Sequence, residues 1–190
     1  VFEWAFREYG LPRAIRSDNG APFATVGLHG LSRLSVWWLK LGIAHQRITP
    51  GTPSENGAHE RMHRSLKRRA IRPAQATGRA QQRAFDAFRA EYNELRPHET
   101  LGMETPASQY GASPRAYPSR IVAPEYPGHF TVKGVTTGGT FRFHNRLLYL
   151  ANALSGERVG LDEVDDGMWH IYFGTVLIAT LDERDYIIRE

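Results

Sequence analysis

The sequence predicts two unlike parts, an α/β segment over residues 1–110 and a small all-β barrel over residues 128–190. Three observations predict this. First, the apolar period changes from helical spacing to strict alternation near residue 128. Second, residues 111–127 contain four prolines, the composition of a linker. Third, the charge is uneven: residues 1–120 carry a net +8 and residues 121–190 a net −4. A basic first part is expected to face a polyanion.

The elements follow in order. Residues 2–9 place Phe2, Ala5, Phe6 and Tyr9 on one side of a helix that Gly10 and Pro12 end. RAIRSD reads as a short strand running into the turn DNGAP. Leu28, Leu31, Leu34, Trp38 and Leu41 have helical spacing over 28–41, and Gly42 closes that helix before a second strand, IAHQRI. TPGTPSENG is a loop, followed by a helix from about Asn56 to Ile71 and another from about Arg79 to Leu95. On the first of these, Met62, Leu66 and Ala70, with Ala58 nearby, form the apolar face. On the second, Phe85, Phe88 and Tyr92 point inward. Beyond the linker, FTVKGV, GTFRFH, RLLYL, ERVGLDEV, MWHIYF, VLIATL and DYIIR read as seven short strands, with Trp169, Tyr172 and Phe173 expected in their core.

An apolar fraction of 41% and an aromatic fraction of 11% are those of a globular protein. No run of ~18 apolar residues predicts a membrane span, and no signal peptide is recognisable. The chain has no cysteine, which excludes disulfides and thiolate metal sites and fits a reducing cytosol. It opens inside an amphipathic helix without an initiator Met, so it is expected to be part of a longer protein.

Two stretches carry chemistry. Residues 59–63, HERMH, match the H-E-x-x-H zinc pattern, for which Glu91 or Glu94 is available as a third ligand. The extended zinc pattern fails, because Leu66 and Arg69 stand where Gly and His are required. From Arg61 to Arg83 there are eight basic residues and no acidic one, a poor setting for a dication held by histidines. On the helix, Glu60, Arg64 and Lys67 share a stripe, a carboxylate followed by bases one and two turns on. Such a stripe suits a metal-binding carboxylate beside a phosphate backbone, and it equally suits an ordinary i,i+4 surface pair. The other stretch is IRSDNGAPF, where Asp18 ends a strand and Asn19-Gly20 turns the chain. A carboxylate at the C-terminal end of a strand is a good metal position in an α/β sheet.

Taken together, SDNG, then Pro50 to Glu60, then Leu66-Lys67, then Tyr92-Asn93, Arg96-Pro97-His98, Leu101 and Thr105-Pro106-Ala107 resemble the integrase core of DDE transposases. The closest resemblance is to bacterial insertion-sequence transposases related to retroviral integrases, and it covers about residues 1–110. It implies an RNase-H-like core, DNA transposition or integration by strand cleavage and strand transfer, and two Mg²⁺ (or Mn²⁺) ions between three carboxylates. Asp18 and Glu60 would be metal-binding catalytic residues, and the flanking histidines incidental. Arg64, Lys67, Arg68, Asn19 and Asn56 would lie along DNA. The resemblance also implies transposon ends and target DNA as partners, a homo-oligomer, no membrane, a bacterial cytoplasmic location and an SH3-like barrel after the core.

The chain departs from that pattern in two ways. The family's first Asp lies on a strand upstream of SDNG, but residues 1–17 contain no Asp, and Glu3 and Glu8 fall in a helix. The first strands of the core are therefore expected to be missing and the fragment alone to be inactive. The alternative is a non-catalytic DNA-binding or assembly remnant of a transposase, and the remote one a zinc peptidase acting through HERMH. The spacing between Asp18 and Glu60 is longer than the family's usual one, which suggests an insertion around Thr25 to Leu31.

Overall fold

A computed structural model describes every residue except Val26, and every described side chain except those of His29 and Pro53. The expected insertion at 25–31 thus lies partly outside the described residues. By contacts the chain forms two compact units, Val1–Ile48 with Arg115–Glu190, and Thr49–Pro114.

The first unit opens with helix α1 (Phe2–Tyr9), which Gly10 ends at a φ of 76°. Strands β1 (Ala14–Ser17) and β2 (Ala44–Arg47) pair in parallel, with Ile15 opposite His45 and Ser17 opposite Arg47. Between them lie a 3₁₀ turn, Leu28–Gly30, and helix α2 (Arg33–Lys40). Helical spacing from Leu28 predicts one continuous helix, but the chain breaks at Ser32. There Ser32 and Ser35 form a reciprocal capping box, which satisfies amides that open the helix. The apolar period carries no trace of that break, because Leu28 and Leu31 are also buried or half-buried in the turn.

Seven strands follow, as the alternating period predicts. β3 (Thr131–Gly134), β6 (Arg158–Asp165), β7 (Met168–Phe173), β8 (Val176–Asp182) and β9 (Ile187–Arg189) form an antiparallel sheet in that order. β4 (Thr140–Phe143) and β5 (Arg146–Tyr149) form a separate antiparallel hairpin. Phe141 and Phe143 of the hairpin share one core with Val159, Leu161, Ile171, Phe173, Ile178 and Leu181 of the sheet. Phe173 is in that core as expected. Trp169 packs at its edge with Nε1 donating to Glu183, whereas Tyr172 lies on the other face against Phe130.

Residues 115–130 have almost no regular structure, yet they are tied down along their length. Arg115 donates to the carbonyls of Pro12 (3.0 Å), Leu41 (2.6 Å) and Gly42 (3.0 Å). Tyr117 stacks on Phe6 and carries the Arg7 guanidinium over its ring. The Tyr126 hydroxyl donates to Arg158 O at 2.8 Å and accepts from the Gly174 amide at 3.2 Å. Its ring lies over Gly160, where an added Cβ would come within 2.3 Å of Tyr126 Cδ1.

The second unit is helical. A 3₁₀ turn (Pro53–Asn56) leads into α3 (Gly57–Leu66), which widens into one π-helical turn at Lys67–Ile71. α4 (Gly78–Ala90), capped by the Thr77 hydroxyl, ends in a second π turn at Glu91–Leu95, and a short α5 (Pro106–Gln109) follows. The apolar face expected on α3 is less buried than its spacing predicts. Ala70 is buried, Met62 and Leu66 are half-buried and Ala58 is exposed. On α4, Phe88 is buried and Phe85 half-buried, and Tyr92 in the following π turn is half-buried. The Arg69–Glu91 ion pair and a hydrogen bond from Gln81 to Ala70 O join the two helices.

Replacing Gly160 by Val is expected to displace the Tyr126 ring and lower the stability of the first unit by about 1–3 kcal/mol. A drop in the thermal midpoint that is absent in Gly128→Val, where an added Cβ meets nothing within 4 Å, would establish this.

Candidate nucleic-acid and metal site

The residues singled out by sequence fall into two sets, one in each unit. Asp18 and Asn19 belong to the first unit; Asn56, Glu60, Arg64, Lys67 and Arg68 belong to the second.

Asp18 follows the last residue of β1, so the sheet fixes the point from which its exposed carboxylate projects. Its Oδ1 accepts the Gly20 amide at 3.1 Å, the turn that Asp-Asn-Gly favours. Asn19 donates from Nδ2 to Ile48 O at 2.9 Å, and Ile48 N donates to Ser17 O at 3.1 Å. These bonds knit the loop to the end of β2. Sequence reasoning passed over Ser17 and His45. Ser17 is buried, with Oγ 2.8 Å from Asp18 O and 2.8 Å from His45 Nε2. The available signal was register: in a parallel pair with Ile15 opposite His45, Ser17 lies on the same face, two residues on. The Trp38 ring meets His45 edge-on at 5.2 Å. Burial, and then the Arg47 charge, push the His45 imidazole below its ordinary 6.5.

Glu60 lies in the first turn of α3, where the helix dipole favours a negative charge. It is exposed and, among the described residues, forms no ion pair, so the i,i+4 pair with Arg64 is not made. Arg64, Lys67 and Arg68 are likewise exposed and free of ion pairs among the described residues. Asn56 occupies the N-cap of α3, but its side chain makes no capping hydrogen bond.

The His59 and His63 rings approach to 4.2 Å, and burial lowers the pKa of His63 first, before the charges of His59 and Lys67. Among the described residues no three His, Cys, Asp or Glu side chains gather into a group that could hold an ion. Among the described residues, therefore, neither the two histidines nor Asp18 nor Glu60 sits in a group of three such donors, the number of protein ligands a zinc centre requires. Asp18 and Glu60 offer exposed hard oxygen donors, a chemistry that fits Mg²⁺ or Mn²⁺. No helix of the described residues is long and apolar enough to cross a membrane.

Comparison with known proteins finds relatives for part of the chain. Residues 41–106 match the family model of the integrase core domain, a stretch that includes Glu60 and leaves Asp18 outside. That stretch is thus similar to part of an integrase core. It is similar to the uncharacterized 39.2 kDa protein of insertion element IS476 from Xanthomonas euvesicatoria, at 34% identity over 121 residues. It is also similar to the uncharacterized 31.7 kDa protein of insertion element IS407 from Burkholderia multivorans, at 31% identity over 113 residues. These matches span 63% and 59% of this chain but only 33% and 38% of those proteins, so the chain corresponds to about a third of its relatives' length. A chain of the simian T-cell lymphotropic virus intasome, solved by cryoEM in complex with PP2A regulatory subunit B56 gamma, aligns with a TM-score of 0.43 and 18% identity. That alignment covers 93% of this chain and 60% of the other, a level of likeness that does not define a fold.

Because the folded state holds His45 below 6.5, protonation favours the unfolded chain. The stability of the first unit should therefore fall as pH drops from about 6.5 toward the folded-state value, and level off below it. Thermal midpoints from pH 7.5 to 5 are expected to decline in the wild type and to decline less in His45→Gln.

Proposed function

We propose that this chain is part of a transposase acting on DNA by metal-dependent phosphoryl transfer. The observation that carries the reading is α3: an exposed carboxylate at its start, followed by the exposed bases Arg64, Lys67 and Arg68, none of them in an ion pair among the described residues. That helix lies within the stretch matching the integrase core. Asp18 and Glu60 are the residues proposed to hold divalent ions, and bound ions would supply Lewis-acid activation of the attacking oxygen and stabilisation of the leaving oxygen. The bases set the phosphate backbone beside the carboxylate through charge-assisted contacts, and Asn19 and Asn56 border the loops along it. We assign the core to residues 1–110, with an RNase-H-like fold whose first strands, and first catalytic Asp, lie outside this sequence. In this reading residues 111–127 connect the core to an SH3-like barrel at 128–190. The partners are the element's ends and target DNA, engaged by a multimer, since two ends react together.

The chain should bind duplex DNA with an affinity that falls steeply with salt. Replacing both Arg64 and Lys67 by Ala should flatten the slope of log affinity against log salt by about two. An unchanged slope would remove α3 from the DNA interface. In the complete element protein, Asp18→Asn and Glu60→Gln should each abolish strand transfer while DNA binding persists. Activity surviving either change would overturn the assignment of that carboxylate.

A further inference from the structure

We propose that His45 is a positioning residue for Asp18: its Nε2–H donates to Ser17 Oγ, and the Ser17 hydroxyl donates to the carbonyl oxygen of Asp18. The inference deepens the reading of Asp18 as a metal-binding carboxylate and rests on it.

The geometry carries the inference. Ser17 Oγ lies 2.8 Å from two partners, the Asp18 carbonyl oxygen and His45 Nε2. A carbonyl only accepts, and a serine hydroxyl has one proton to give. If that proton goes to Asp18 O, the bond to His45 is made only when Nε2 carries a hydrogen. The pair therefore selects the Nε2–H tautomer and gives the chain of donors a direction, from His45 through Ser17 to Asp18. Ser17 is 6% exposed, so water does not easily replace either partner. The imidazole is itself seated, with the fully buried Trp38 ring edge-on at 5.2 Å.

The result is a backbone at residue 18 tied on all sides. Ile48 N holds Ser17 O, Asn19 holds Ile48 O, and the Gly20 amide holds the Asp18 carboxylate. The link through Ser17 is the one that reaches across the face of the sheet to a side chain of β2. Residues that orient a metal's ligands govern affinity without touching the ion. His45 stands in that relation to Asp18, at one residue's remove.

The test uses the 190-residue chain, labelled with ¹⁵N, and Mg²⁺ alone as the probe. Imidazole ¹⁵N shifts should show the Nε2–H tautomer for His45, and Mg²⁺ should shift the Asn19 and Gly20 amides. His45→Phe keeps a ring against Trp38 but has no donor. It should move those amides before Mg²⁺ is added and raise the Mg²⁺ midpoint by about tenfold. His45→Gln, which regains an N–H, should restore most of the midpoint, whereas a merely space-filling role predicts that Phe serves better than Gln. An Nδ1–H tautomer in the wild type overturns the proposal, even if the variants fail to fold. So does a wild-type midpoint in His45→Phe, which leaves the metal role of Asp18 standing. A wild-type chain whose Asn19 and Gly20 amides ignore Mg²⁺ while those near Glu60 respond overturns the metal role of Asp18 itself, and the proposal with it.

Discussion

Helix α2 must be buried on two faces at once, and the first unit depends on that. Val36 and Leu39 face the core formed by the antiparallel strands, while Leu34, Trp38 and Leu41 face the core formed with α1 and the parallel strands. One short helix therefore joins two apolar clusters that no other helix connects among the described residues. Its start is fixed by Ser32 and Ser35, both buried, so a local hydrogen-bond exchange decides where both cores find their side chains. The Lys40–Glu157 pair, 2.7 Å apart with both side chains largely covered, adds a polar tie between the same two regions.

That arrangement explains why the proline-rich stretch is held rather than loose. Composition marks 111–127 as a linker, because proline and small residues cannot form a packed element by themselves. The stretch instead borrows order from its surroundings. Arg115 takes carbonyls just before β1 and just before β2, and Tyr126 fills the space left by the missing side chain of Gly160. Each contact joins residues far apart in sequence, which is why no local period announces them.

The same distinction separates what was legible in the sequence from what was not. The strands of the second half were readable because buried apolar residues alternate with less buried ones, as at Phe141 and Phe143 or Ile171 and Phe173. The helices were readable from their apolar spacing, but their ends were not. The break at Ser32 depends on a side chain replacing a backbone bond, and the π turns after Leu66 and Ala90 carry Arg69 and Glu91, which pair across the two helices. At the candidate site, Asp18 and Glu60 stood out because a turn and a helix start need particular neighbours in sequence. Ser17 and His45 did not, because only the parallel register brings residues 28 apart to hydrogen-bonding distance.

Electrostatics sets the last constraint. The helical unit buries little apolar surface of its own, with Ala70 and Phe88 its buried apolar residues among those described. Yet α3 and its π turn carry Arg61, Arg64, Lys67 and Arg68, with Arg72 just beyond, and the sequence from Arg61 to Arg83 holds no acidic residue. Like charges three and four residues apart weaken a helix by a few tenths of a kcal/mol per pair, about 0.2–0.5. A helix with so little core has small reserve against that repulsion. Glu91 relieves it at Arg69, and the remaining bases stay uncompensated among the described residues. A polyanion lying along them would turn the repulsion into attraction, and anything that binds only the folded helix stabilises it. On the proposed reading, then, the charge that makes α3 a poor free-standing helix is the same charge that ties its order to the DNA beside Glu60.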